Sequence, residues 1–167
     1  DLDLVIQRAE DAGIESMQTI CTKLSEFETT LKIADKYSNV WCSVGIHPHH
    51  VDDEPMCTAN DLISRANKSP KVIGVGETGL DFYYDNSDRK KQEASFRIHI
   101  EAARLCKLPI IIHTRSADEE TCKILSEEMA KGKFSGVIHC FSAERKVAET
   151  ALALGLYISL SGIITFK

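Results

Sequence analysis

Four residues able to ligate a metal or move a proton, His47, Glu77, His113 and His139, each fall at or just past the end of an apolar, β-prone run: residues 40–46, 71–75, 108–112 and 136–139. A single histidine closing a strand needs no role beyond a hydrogen bond. Several imidazoles and a carboxylate at the ends of successive strands are different, because parallel strands of a barrel bring equivalent ends to one mouth. Nitrogen and oxygen donors of this kind suit Zn²⁺ and related divalent cations, and three protein ligands with an open position mark a catalytic site. Arg115 follows His113 by two residues and is placed to grip a phosphate or carboxylate in bidentate fashion, unless Asp118 or Glu119 on the next helix pairs with it first.

Helix-period and strand-type segments alternate along the whole chain, with no Pro/Ser/Gly-rich linker between them. Leu2, Val5, Ile6 and Ala9 share a helical face that Gly13 is placed to close. A strand over 15–22 follows, then a helix with Phe27, Leu31, Ala34 and Tyr37 on one side, for which Ser25 and Glu28 have capping-box spacing. Further helices are predicted over 58–68, from 87 or 88 to 106, from the Ser116–Glu119 capping pair to 131, and over 144–154, closed by Gly155. A last strand is predicted over 157–164. His99 falls within a helical pattern as a surface or core residue, His50 is expected to be exposed, and Trp41 and Cys42 open a buried strand.

Six βα steps with near-continuous apolar strands require a parallel sheet covered on both faces. An open doubly wound sheet would want a Gly-rich phosphate loop, and none is present. A (β/α)₈ barrel takes about 250 residues, so the 167 residues read as one partial barrel domain, residues 1–167, lacking the first strand and the last βα portion. Consistent with that, the chain opens Asp1-Leu2-Asp3-Leu4, without a starting Met or a leader peptide.

Composition narrows the function classes. Lys plus Arg is 20 against 25 for Asp plus Glu, a net charge of −5, and the Arg89-Lys90-Lys91 run is the longest basic block, which excludes broad coating of duplex DNA. The longest uncharged stretch, 150–166, is too short and too broken by Gly and Ser for a membrane span. Six cysteines without a C-x-x-C pair read as reduced thiols of a cytoplasmic protein.

Four motifs occur in order along most of the chain: Gly45-Ile46-His47-Pro48-His49, Gly76-Glu77-Thr78-Gly79-Leu80-Asp81-Phe82, the run from Pro109 through Glu119 with its P-x-x-x-H-x-R core, and Gly136-Val137-Ile138-His139-Cys140-Phe141-Ser142. Together they make the chain similar to the TatD-related metal-dependent hydrolases, a family of deoxyribonucleases. The resemblance implies a (β/α)₈ barrel with two divalent ions (Zn, Mg or Mn). It implies Glu77, His113 and His139 as catalytic metal ligands, with Glu77 bridging, and His47 and Arg115 beside the substrate phosphate, with His49 and Asp81 near. It also implies DNA ends or single-stranded DNA as substrate for a monomeric enzyme. The family's His-x-His after the first strand and its late Asp after a Thr are absent, and are expected beyond residues 1 and 167. Two other readings stay open: an amide or ester hydrolase on the same barrel, such as an aminoacyl-tRNA deacylase, and a non-catalytic metal-binding barrel fragment.

Overall fold

The computed structural model describes residues 1–166; Lys167, the last residue of the expected domain, lies outside the described residues. Six strands, β1 (Met17–Thr19), β2 (Val40–Val44), β3 (Val72–Asp81), β4 (Ile110–Arg115), β5 (Gly136–Ile138) and β6 (Tyr157–Ile158), form one sheet in the order β1-β2-β3-β4-β5-β6. Every neighbouring pair is parallel. Helices α1 (Leu2–Asp11), α2 (Phe27–Lys36), α3 (Ala59–Ala66), α4 (Arg89–Cys106), α5 (Asp118–Lys131) and α6 (Arg145–Ala153) alternate with the strands. This sequential, all-parallel βα order is that of a (β/α)₈ barrel, here a curled portion with β1 and β6 at its two edges.

The core lies between the sheet and the helices. Phe27 and Leu31 of α2, Leu62 of α3, Phe96 and Ile100 of α4, and Ile124 and Leu125 of α5 pack with Val44, Val75, Ile110, Ile112 and Ile138 from the strands. Burying such side chains contributes about 1.5–3 kcal/mol each. The buried carboxylate of Glu128 on α5 receives Arg97 (2.9 Å), Lys131 (2.6 Å) and Arg104 (3.4 Å), which ties α5 to α4.

Several local expectations change. The first strand is 17–19 rather than 15–22, and the last ends at Ile158, with a 3₁₀ turn over Gly162–Thr165 in place of its second half. Neither expected capping box forms. Ser25 gives its N–H and hydroxyl to Glu54 instead, and Ser116 sits at φ 52°, one residue before an N-cap without a side-chain bond. The pair that does form the reciprocal box is Thr58 with Asp61 at the start of α3. Gly13 and Gly155 close α1 and α6 with the paired N–H contacts of a left-handed cap.

The largest change is in β3, which continues past Glu77 to Asp81. Between the pairs Val75↔Ile110 and Thr78↔Ile112 it carries one residue more than β4, a bulge at Gly76 and Glu77. Bulges re-aim side chains, and this one is at the carboxylate expected to ligate metal. Beyond it the strands close tightly, with Gly79 opposite His113. A Cβ on Gly79, at φ +136°, would lie 2.0 Å from the His113 carbonyl oxygen, whereas Gly155, at φ +80°, has nothing within 4 Å. Gly79→Ala is therefore expected to cost about 3 kcal/mol or more, because backbone must move, while Gly155→Ala costs about 1 kcal/mol of left-handed strain alone. Urea unfolding of the two variants measures the difference, and equal losses would contradict it.

Candidate metal centre

His113 is the centre of the site. Its Nδ1 lies 3.5 Å from Glu77 Oε1 and its Nε2 lies 2.9 Å from Asp81 Oδ2, so one imidazole spans the two carboxylates of β3. His49 Nε2 meets the same Asp81 oxygen at 2.8 Å, and His139 Nδ1 meets Glu77 Oε1 at 3.0 Å. The His47 ring is 4.5 Å from those of both His49 and His113. Two sets of donor atoms fall within 4.8 Å of one another, His47 with Glu77 and His113, and His49 with Asp81 and His113. His139 reaches Glu77 but belongs to neither set among the described residues. Arg115 stays at the rim, its guanidinium stacked 4.2 Å from the Tyr83 ring centroid and 4.7 Å from that of Tyr84. Its alternative partners on α5, Asp118 and Glu119, turn instead to the Glu144 backbone and to Lys146.

The backbone around these residues is held by partners distant in sequence. The segment after β1 runs between the ends of β2 and β3: the Glu77 N–H donates to the Cys21 carbonyl (3.1 Å) and the His47 N–H to the Thr22 carbonyl (2.9 Å). Ser43 Oγ in turn accepts the Cys21 N–H at 3.0 Å. His139 is placed by its own N–H, which donates to the Ile112 carbonyl at 2.8 Å. His99 of α4 proves to be a fully buried core residue, donating from Nδ1 to the Ser95 carbonyl (2.7 Å) and accepting the Ile46 N–H at Nε2 (3.0 Å). It thus fixes the residue immediately before His47.

Charge follows from these contacts. Burial pushes the Glu77 carboxyl up, but hydrogen bonds from His113 and His139 outweigh it and hold the group at about 2. Burial is likewise outweighed at Asp81, where the Tyr84 N–H, His49 and His113 keep the carboxyl below its usual range. Burial works against a proton on His113, yet Glu77 and Asp81 raise its pKa, and the Glu77 hydrogen bond does the same for His139. Paired carboxylates that draw positive charge so strongly, ringed by imidazole nitrogens, make a donor set that fits a divalent cation. His47 differs: burial, aided by His113, lowers it to about 4, so its ring is neutral at neutral pH. The His49 N–H points at its Nδ1 (3.2 Å), which places the ring proton on Nε2 and makes that atom a donor.

The fold is a portion of a (β/α)₈ barrel whose strand ends carry a donor set that fits a divalent cation, and the comparisons give its family. The family model for TatD related DNase matches residues 1–167, and the chain belongs to that family. It is 38% identical over 172 aligned positions to an uncharacterized metal-dependent hydrolase of Buchnera aphidicola, covering 100% of this chain and 65% of that protein. It is 36% identical over 165 positions to the 3'-5' ssDNA/RNA exonuclease TatD of Erwinia tasmaniensis, covering 98% of this chain and 63% of that one. The crystal structure of YjjV, a TatD homolog from Escherichia coli K12, superposes with a TM-score of 0.87 at 25% identity, covering 99% of this chain and 64% of that chain. The chain thus spans somewhat under two thirds of the length of these relatives.

Sequence reasoning placed His99 in a helix as a surface or core residue without its contact to the Ile46 N–H, passed over the tyrosine pair, and gave Asp81 less weight than its contacts carry. The available signal was the run Asp81-Phe82-Tyr83-Tyr84, three aromatics directly after a carboxylate where a strand gives way to a turn. His99 supplies a test of how the His47 loop is supported. Burial depresses it from 6.5 to about 4, so the unfolded chain binds a proton in that interval and the folded chain does not. Its contribution is present above about pH 6.5 and is lost as pH falls towards 4. At neutral pH, His99→Leu should lower the unfolding free energy by about 1–3 kcal/mol, because the Ile46 N–H is left without an acceptor. Denaturant unfolding of wild type and variant should show this gap shrinking between pH 6.5 and 4, and a gap that does not change with pH would contradict it.

Proposed function

We propose that the chain carries a large part of the active site of a divalent-metal-dependent hydrolase that cleaves DNA phosphodiester bonds, acting as an exonuclease on ends or single strands. The observation that carries this reading is the convergence of Glu77 and Asp81 on the two nitrogens of His113, with His49 and His139 each on one of the carboxylates. Glu77, His113 and His139 would hold the cations, with Asp81 and His49 adding donor atoms on the other side of His113. Divalent ions held there supply Lewis-acid chemistry, making a water more acidic and polarising phosphoryl oxygens.

The chain's own residues supply the rest. Glu77 and Asp81 are ionised at neutral pH and orient the imidazoles through hydrogen bonds. His47, neutral and with its proton on Nε2, donates to a phosphate oxygen. Arg115, exposed at the rim, takes the neighbouring phosphate with its planar fork. A net charge of −5 suits local recognition of an end over coating of a duplex. The name of the Erwinia relative supports the same substrate class. All six cysteines are free, as they would be in the cytoplasm, and among the described residues no helix is long and apolar enough to cross a membrane.

The test pairs binding with turnover. Calorimetric titration with Mn²⁺ or Zn²⁺ should give a heat that Glu77→Ala removes. A labelled single-stranded oligonucleotide should shorten stepwise in Mg²⁺, Mn²⁺ or Zn²⁺ and stop shortening on chelation. Glu77→Ala should abolish this shortening, whereas Arg115→Ala, which removes one phosphate contact, should slow it about a hundredfold. Equal activity of Glu77→Ala and wild type at saturating metal would refute the assignment. Hydrolysis of an aminoacyl ester in place of the oligonucleotide would move the enzyme to the rival substrate class.

A further inference from the structure

Asp81 divides its carboxylate between two tasks. Oδ2 faces His49 and His113, at 2.8 and 2.9 Å, while Oδ1 accepts the backbone N–H groups of Tyr83 (3.1 Å) and Tyr84 (2.9 Å). The turn that carries the two tyrosines is therefore fastened to the same side chain that orients the metal-ligating histidines. Their rings stand perpendicular, 89° apart with centroids at 4.9 Å, and remain 60% and 52% exposed. The Tyr84 ring also lies edge-on to His49 at 5.3 Å. Arg115, paired with Asp81 in the β3–β4 register, lays its guanidinium over both tyrosines. Among the described residues it joins no ion pair with a carboxylate, so its charge is available to an incoming anion.

We propose that Tyr83 and Tyr84, with Arg115 across them, form a stacking platform for an unpaired nucleobase beside the metal centre, and that this platform makes the site selective for single-stranded ends. The proposal rests on the nucleic-acid reading above and assigns the tyrosines a role that reading does not contain. Exposed aromatic faces next to an unpaired guanidinium match what a nucleotide offers, a π-face and a phosphate. A base inside a duplex is already stacked on its neighbours and has no face to give. An unpaired terminal base has one. Because Asp81 fixes both the turn and the histidines, a base held on the platform sets the position of its own phosphate relative to the donor atoms of Glu77, His113 and Asp81. Stacking is indifferent to base identity, so the platform selects strandedness without selecting sequence.

The experiment measures binding of short fluorescent oligonucleotides by anisotropy in the presence of Ca²⁺, together with a thermal melt of each variant. The probes are a single strand, the same strand with an abasic terminal nucleotide, and a blunt duplex. Wild type should bind the intact single strand about tenfold more tightly than the abasic strand or the duplex, the loss expected for one base stack. The Tyr83→Leu/Tyr84→Leu double variant should melt like wild type, since both side chains are exposed, and should bind all three probes with the same weak affinity. Tyr83→Phe/Tyr84→Phe, which keeps the rings, should restore the discrimination. Wild-type binding that ignores the terminal base, or discrimination that survives in the double Leu variant, would overturn the platform and leave the nucleic-acid reading standing. Failure of wild type to bind any of the three probes would remove the nucleic-acid reading, and the platform with it.

Discussion

One imidazole held between two carboxylates organises the molecule's functional end. With Glu77 at Nδ1 and Asp81 at Nε2, His113 cannot rotate or shift without giving up a charge-assisted contact. Both carboxylates come from a single strand, four positions apart in sequence, and the imidazole comes from its parallel neighbour. The arrangement therefore depends on the β3–β4 register. It also depends on the bulge before Thr78, where the extra residue offsets Glu77 from the regular alternation of the strand.

Everything adjacent to this axis serves to keep it in place. Gly79 lets β3 approach the His113 carbonyl more closely than any side chain would permit. Cys21 and Thr22, beyond the end of β1, accept the N–H groups of Glu77 and His47, so the first strand's continuation is part of the site's scaffold. His99 does the same from the helix layer through Ile46. Rigid backbone on three sides is what a site needs when its ligands come from different strands.

Buried charge is used in two ways in this fold, and the contrast helps to define the site. At Glu128 three cations surround one carboxylate, so the charge is matched within the protein and the cluster ties α4 to α5. At Glu77 and Asp81 the nearest partners are histidines, whose charge depends on a proton. Imidazoles can release that proton and offer a lone pair in its place, which arginine and lysine at neutral pH do not. Carboxylates faced by histidines are thus compensated in a way that an incoming cation can take over, whereas Glu128 has nothing to exchange.

The alternation of strands and helices, the parallel sheet and the metal-type residues near the strand ends were legible in the chain because each rests on local patterning. Apolar runs such as Ile110-Ile111-Ile112 report burial on both faces, and His113, Arg115 and His139 stand next to such runs. What stayed hidden was which remote partner claims each individual group. Ser25 and Ser116 have capping-box spacing, yet a carboxylate 29 residues away claims Ser25 and the turn before α5 rotates Ser116 out of place. Glu77 reads as a strand end, but the strand continues because β4 supplies partners as far as Arg115. His99 reads as one more helical residue, and only the packing of α4 on the sheet delivers it to the Ile46 N–H. Asp81 reads as a neighbour of the site and becomes its hinge with the tyrosine turn, since only the folded register sets one of its oxygens between two histidines. Local sequence specifies which groups are present and which way the chain runs. Hydrogen bonds and register between segments tens of residues apart decide which groups meet, because their geometry exists only once the strands are side by side.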